Sequence, residues 1–491
     1  MEVAEVGAVA AAVSKSGDNV VPRVIAMLNV LKHRGADFHG VATPNLVILA
    51  KFMEEMRVEN VNSSVALGYN LSRILEKDCP QPVQGDGFTL VFEGRLFPPS
   101  VGPDGKEFLT RLRTDPLEGA ERAIKELDGS YVFAIALPGR VVAGRDPVGV
   151  VPLYYGENED VCALASERKA LWRLGMENVK TFPPGTLAVV NAQGFSFKPT
   201  RTIEQLPLGW AMEMDAAAVQ IQGLLLKSVR GRTVDIDGVA VAFSGGLDSS
   251  LIAALAKICG VDAHLISVSM EGQPDIQFTG AAAEALGLPL QLQTYTVKDV
   301  EKVLPRVLWL IEEPSLMKAA IAIPLYWAAE IAARLGYRVL LAGQGGDELF
   351  GGYHRYLQVY RQGGVEAVQT ALYRDVIASH ETNFQRDYPV CAFHGVELRL
   401  PFTDLELVRF SLGLPVNLKI ISEEDRLRKR ALRRVAQLLG LSEFIFNRPK
   451  RAVQYATGVD KALRRLAKDK GLAPQEYVRA VFRETRTEEG V

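Results

Sequence analysis

Cysteine is scarce in this chain. Four occur in 491 residues, at positions 79, 162, 259 and 391, and no two form a Cys-x-x-Cys pair. That spacing argues against a zinc ribbon or a disulfide framework and points to a reducing, cytoplasmic setting. Histidine is rare as well: there are six, none clustered with carboxylates at metal-ligand spacing. An excess of one charge is missing, since 56 Lys and Arg stand against 58 Asp and Glu. Bulk charge therefore asks for neither nucleic acid nor an anionic membrane as partner. No apolar run reaches the ~18 residues expected of a spanning helix. The opening MEVAEV is acidic and lacks the basic-then-apolar order of a signal peptide. The lysine-bearing phosphate loop, Gly-x4-Gly-Lys-Ser/Thr, is also absent.

What is present is ordinary globular composition, 48% hydrophobic and 23% charged, in a chain long enough for about two to four domains. The first 200 residues mix short strands and helices. Strands are expected at 88–97, 130–137, 140–146 and 186–192, with helices near 20–33 and 115–127. Such a mixture predicts a layered α+β domain over 1–205. A helix with Asp215 as its cap opens the second part, 206–491. Apolar strands then alternate with helices: GVAVAF, AHLISVSM, LQLQTYTV and YRVLLAG are separated by helices ending near Gly260 and Gly287. That alternation predicts a parallel sheet covered on both faces. From about residue 360 the pattern is mainly helical.

The stretch FSGGLDSS, 243–250, lies between the first of those strands and its helix. Glycines allow backbone N–H groups to approach a ligand closely, and the helix start adds unpaired donors and a positive dipole end. Ser244, Ser249 and Ser250 add hydroxyls. A strand–loop–helix of this kind binds phosphate, and Asp248 beside phosphate implies Mg2+. The bland alternative is a tight turn with a capping aspartate. Asp275, after the second strand, suits metal or pyrophosphate, an N-cap, or both. AGQGGDELFGGY, 342–353, follows a later strand with five glycines and the carboxylates Asp347 and Glu348.

These residues bring the chain to a family it resembles, the glutamine-hydrolysing asparagine synthetases. FSGGLDSS, AGQGGDELFGGY, HGVELRLPFTD (394–404) and NRPKRAVQYATG (447–458) are similar to the blocks of that family's synthetase domain, in order. KHRGADFHG, DGSYVFAIAL, GRDPVGVVPLYYG and LASERKAL are similar to its N-terminal glutaminase domain. The resemblance implies an Ntn-hydrolase-like α+β sandwich followed by a pyrophosphatase-loop parallel-sheet domain with a helical C-terminal part. It implies ATP and Mg2+, activation of a carboxylate, aspartate foremost, as an acyl-adenylate, and attack by ammonia with release of AMP. By position it places Ser244, Gly245, Gly246, Asp248, Ser249, Ser250, Met270 and Gly345 at ATP or pyrophosphate. It places Asp248, Asp275 and Asp347 at metal, and Lys450, Gln344 and Glu348 in catalysis. On the residues alone, Lys450 could equally be a solvated loop charge. Family members often dimerise, so a homodimer is one expected partner, and an ammonia-supplying protein is another.

Three departures follow. The family's glutaminase nucleophile is a cysteine at position two, whereas Glu2 stands here, and register counted back from VSKSGDN brings Gly7 nearest the expected cysteine. The glutamine-reading Asn-Gly-Glu is replaced by Glu93-Gly94-Arg95, putting a repelling cation where an acid would pair with the glutamine amine. Gln344 stands for a glutamate and keeps hydrogen-bonding reach without charge. The expectation is an amide ligase that does not hydrolyse glutamine. Alternatives are a ring-closing acyl-adenylate enzyme of β-lactam synthetase type, or a non-catalytic nucleotide-binding regulator. The basic stretch 423–440 reads as an amphipathic helix with a solvated basic face, or as one that turns Lys429 or Arg430 to phosphate. His33 and His394 are expected to be structural, and Cys259 and Cys391 to be core.

Overall fold

The computed structural model describes residues 7–35, 37–99, 101–112, 115–205 and 212–488. Glu2 lies outside them. The chain divides into two compact units, 1–203 with 392–397 and 489–491, and 204–391 with 398–488.

The first unit is built on two antiparallel sheets. One has seven strands in the order Lys180–Thr181, Tyr154–Glu157, Val161–Ala165, Ala8–Ser14, Val65–Leu71, Phe38–Thr43 and Leu46–Ala50. The other has six: Gly194–Pro199, Thr186–Asn191, Arg140–Arg145, Gly129–Leu137, Thr89–Leu96 and Val83–Gln84. Nearly every residue of the central strands is buried, as expected when both faces of a sheet are covered. Ala8, Ala10 and Ala12 pack outward under helix Val21–Val30, and Val24 and Leu28 close on Gly68, where a Cβ would clash. Phe92, Phe133 and Ile135 pack outward under helices Asp104–Arg111 and Pro116–Glu126. The result is a helix–sheet–sheet–helix sandwich. Asp115 caps the last of these helices through the N–H groups of Leu117 and Glu118.

The second unit carries a five-stranded sheet in the order Leu290–Tyr295, Asp262–Met270, Gly238–Ala242, Val339–Leu341 and Glu397–Arg399. The first four strands run parallel. Successive strands step one way from Gly238–Ala242, and Val339–Leu341 lies on its other side. The strand order therefore reverses at Gly238–Ala242, and a crevice opens there at the carboxyl ends of the strands. Helix Leu316–Arg334 is long and apolar enough to cross a membrane. Ala319, Ala320, Ile323, Trp327, Ala329 and Ala332 on it are nonetheless buried in this unit's core.

Local expectations are corrected in three places. Helix Met214–Gly231 has Glu213, not Asp215, at its N-cap position; Asp215 lies in the first turn and pairs with Arg434 at 2.7 Å. The stretch 423–440 is helical only over Arg430–Leu438, because Arg428 and Lys429 adopt left-handed φ values of 50° and 49°. Cys391 is buried as expected, but Cys259 is only half-buried.

Candidate active site

Three segments leave the carboxyl edge of the parallel sheet around the switch point. The first joins strand Gly238–Ala242 to helix Leu247–Ile258. Gly245 takes φ 67°, which glycine tolerates, and a Cβ there would press on Phe278 and Thr279. Ser249 Oγ donates to Gly246 O at 3.2 Å and accepts from Ser244 N at 3.3 Å, which fixes the turn. Ser250 Oγ and Asp248 Oδ1 are buried without a hydrogen-bond partner among the described residues. Buried polar atoms are nearly always paired, so two orphans at the start of one helix suit a ligand.

The second segment runs from strand Val339–Leu341 into the short helix Gly346–Phe350. Gly343 lies against Asp248: a Cβ there would stand 2.8 Å from the Asp248 Cβ. Gly345 turns the chain at φ 97°. Asp347 and Glu348 then diverge. Asp347 Oδ2 lies 2.7 Å from Lys450 Nζ, and its Oδ1 lies 2.6 Å from Lys429 Nζ. Burial opposes the Asp347 charge, yet these two ammonium groups hold its carboxyl well below the usual range. Burial likewise opposes the Lys450 ammonium, and Asp347 and Asp248 push its pKa up instead. Glu348 Oε1 accepts from Tyr353 Oη at 2.5 Å and Asn383 Nδ2 at 2.7 Å, while Oε2 has no partner among the described residues. Burial, with Asp347 adjacent, raises the Glu348 pKa. Asn383 comes from a π-helical turn, His380–Phe384, an irregularity found often at functional sites. Gln344 is half-buried and makes no side-chain hydrogen bond among the described residues.

The third segment joins strand Asp262–Met270 to helix Asp275–Leu286, and here the expectations change. Asp275 is not with the other carboxylates at a shared cation; both its oxygens are taken by Arg448 and Arg451. The Arg448 guanidinium also lies 3.6 Å from the Phe278 ring centroid. The Met270 N–H, placed at nucleotide by position, donates to Thr457 O at 2.8 Å. One stretch, 448–457, thus reaches all of these elements: Asp275 through two arginines, Asp347 through Lys450, and Met270 through Thr457. Among the described residues no three His, Cys, Asp or Glu side chains gather as a metal site.

Sequence reasoning leaned the wrong way on the basic stretch. Lys429 is 2% exposed, and its ammonium pairs with both Asp248 and Asp347. Arg428 and Arg433 are buried too. Lys429 turns inward, where the two mostly enclosed carboxylates of Asp248 and Asp347 pair with it. Arg448, Arg451, Tyr353 and Asn383 were missed altogether. For the two arginines the signal was there, in a basic run beside Lys450.

In the first unit a second polar cluster lies on the strand ends. Arg34, fully buried, donates to Gly7 O at 2.8 Å, bonds Glu93 Oε1, and lies 3.4 Å from Glu167 Oε1. Ser166 Oγ donates to Glu93 Oε2 at 2.8 Å, Lys169 pairs with Glu167, and His33 Nε2 lies 2.9 Å from Glu167 Oε2. Burial lowers the His33 pKa despite Glu167. Arg95 is neutralised by Asp78 at 2.7 Å, with Asp104 at 3.5 Å. The predicted repulsion by Arg95 is therefore corrected: its charge is spent internally, and Glu93 is occupied by Arg34.

The model for asparagine synthase matches residues 220–364 and 360–491, and one for a glutamine amidotransferase domain matches 103–173. A Methanocaldococcus jannaschii chain named a putative glutamine-hydrolysing asparagine synthetase is 32% identical over 91% of this chain and 93% of its own length. The glutamine-hydrolysing asparagine synthetases of Lotus japonicus and Triphysaria versicolor are 26% and 28% identical, each over 84% of this chain and 70% of the relative. With both halves matched and an alignment of that extent, the chain belongs to the asparagine synthase family, whose members are ATP-dependent ligases.

Proposed function

We propose that this protein is an AMP-forming amide ligase that joins ammonia to a carboxylate, aspartate being the favoured acid, and that it does not hydrolyse glutamine. The observation that carries the reading is the convergence of the Ser244–Ser250 turn, Asp248, Asp347, Lys429 and Lys450 at the switch point of the parallel sheet. The turn presents helix-start N–H groups and an unpaired Ser250 hydroxyl to phosphate. Asp248 and Asp347 would hold a magnesium ion, since this cation takes few protein carboxylates when substrate phosphates are present, and bound there it would neutralise charge on the departing pyrophosphate. Lys450 and Lys429 then offer ammonium groups to the charge that develops as the carboxylate attacks the α-phosphorus. In the second half-reaction ammonia attacks the acyl carbon, the new amine sheds a proton, and AMP leaves.

The nitrogen source is argued from the first unit. Register brings Gly7 to the nucleophile's place, and Arg34 binds its carbonyl. The same arginine pairs with Glu93. Burial pushes the Cys162 thiol up to about 11 and raises Cys79 too, the reverse of an activated nucleophile. Ammonia comes free or from a partner, and the protein acts in the cytoplasm.

Pyrophosphate release from Mg-ATP tests this across a panel of amino acids, with ammonium, with glutamine, or with neither. The expected result is release with aspartate and asparagine formation with ammonium only. Product formed from glutamine would overturn the second half of the reading. Release with another acid and no ammonium would turn it toward ring closure.

A further inference from the structure

Lys429 stands where the proposed reaction needs a different cation. Its side chain is almost wholly buried, and its ammonium bridges Asp248 and Asp347. The position is built rather than incidental. Arg428 and Lys429 both hold left-handed backbone, which side chains with a Cβ rarely adopt. The surroundings impose it: Arg428 Nε donates to Gly352 O at 3.0 Å, Arg433 Nε donates to Arg428 O at 2.7 Å, and Arg430 N donates to Lys419 O at 3.1 Å. Gly352 completes the cradle, because a Cβ there would run into both Asp347 Oδ1 and the Lys429 Cε. Lys450 sits on the other oxygen of Asp347, so two carboxylates face two ammonium groups.

From this geometry we infer that Lys429 is an internal counter-ion that keeps free divalent metal out and admits it only together with a polyphosphate. The inference rests on the nucleotide reading above. A bare Mg2+ or Mn2+ would have to displace a buried ammonium whose hydrogen-bond and ion-pair partners among the described residues are these two carboxylates alone. A metal–nucleotide complex brings that acceptor with it. Its phosphate oxygens receive the displaced ammonium while the metal takes the carboxylate oxygens, so no buried charge is left unpaired at any stage. Removing the ammonium should therefore turn a site that refuses free metal into one that binds it.

The test is Mn2+ retention by the full-length protein, read by electron paramagnetic resonance, with and without α,β-methylene-ATP. The wild type should retain Mn2+ only with the nucleotide analogue. Lys429→Met should retain Mn2+ without it, at least about tenfold more tightly than the wild type, since one repelling charge is gone. Adding Asp248→Asn should abolish that gain, which sets this site apart from adventitious surface carboxylates. Should the methionine variant fail to fold, Lys429→Gln makes the same comparison with an amide that still reaches both carboxylates. A folded Lys429 variant that still refuses free Mn2+ overturns the inference. So does a wild type that binds Mn2+ alone through Asp248, and in that case the nucleotide reading stands. A wild type that retains neither metal nor metal–nucleotide overturns both.

Discussion

Two lysines from one basic region show how burial and partners decide a residue's chemistry. Lys429 finds two carboxylates and pairs with both. Lys419 is 1% exposed and has no carboxylate in salt-bridge reach among the described residues. Burial alone pulls its pKa down from 10.5 to about 7. The sign of the consequence follows from proton counts. Between about pH 7 and 10.5 the unfolded lysine holds its proton and the folded one does not. Stability should therefore rise with pH across that window and lie lowest below it. Lys419→Met should flatten this rise and raise stability at pH 7 by on the order of 3–4 kcal/mol, checked by urea denaturation over pH 6–10. A slope unchanged in the variant would assign the pH dependence to another group.

At the scale of elements, the candidate site residues sit at or beside interruptions of regular structure. The Ser244–Gly246 turn, the Gly343–Gly345 turn, the left-handed Arg428–Lys429 pair and the π-turn at Asn383 all lie between or at the ends of regular elements. Each break delivers a polar group that a continuous helix would have pointed elsewhere. Gly352 is the tightest point among them. Gly352→Ala should force Asp347 and Lys429 apart, destabilise the second unit by about 1–3 kcal/mol, and weaken nucleotide binding. Calorimetric titration with an ATP analogue, paired with a melting curve, measures both effects. Full affinity in the alanine variant would show that the cradle tolerates a methyl group.

At the scale of the whole molecule, each unit carries an ionic centre of its own. Arg34, Lys169, Glu93 and Glu167 make a buried set of two positive and two negative charges, and with the Ser166 hydroxyl they engage the oxygens of both glutamates. Such a set specifies one arrangement more than it adds stability, but breaking it is severe. Burial opposes the Glu167 charge, and His33 and Lys169 together hold its pKa well below the ordinary value. Its contribution is thus present above the unfolded pKa and lost as pH falls through the folded one. Glu167→Gln should lower the stability of the first unit by about 3–5 kcal/mol at pH 7 and blunt its acid sensitivity below about pH 4. Acid titration followed by near-ultraviolet circular dichroism reads this. An unchanged acid midpoint would show that Glu167 carries no folding free energy.

Legible in the amino-acid order were the alternation that makes the parallel sheet, the apolar strands of the sandwich, and the Ser-Gly-Gly turn between strand and helix. These are local properties, set by periodicity and by glycine and serine at fixed offsets. Glu93 and Arg95 were legible as residue types, but not their partners Arg34 and Asp78. Only the tertiary structure decided which charges meet. Asp275 was grouped with Asp248 and Asp347 by type, yet it ended on Arg448 and Arg451. Lys429 looked like one more cation on a solvated helix face, yet it is buried between two carboxylates far away in the chain. Helical periodicity ran straight through Arg428, where the backbone turns left-handed instead. Ionic pairing at long range leaves no period in the sequence, and its strength depends on burial that only the packed fold creates.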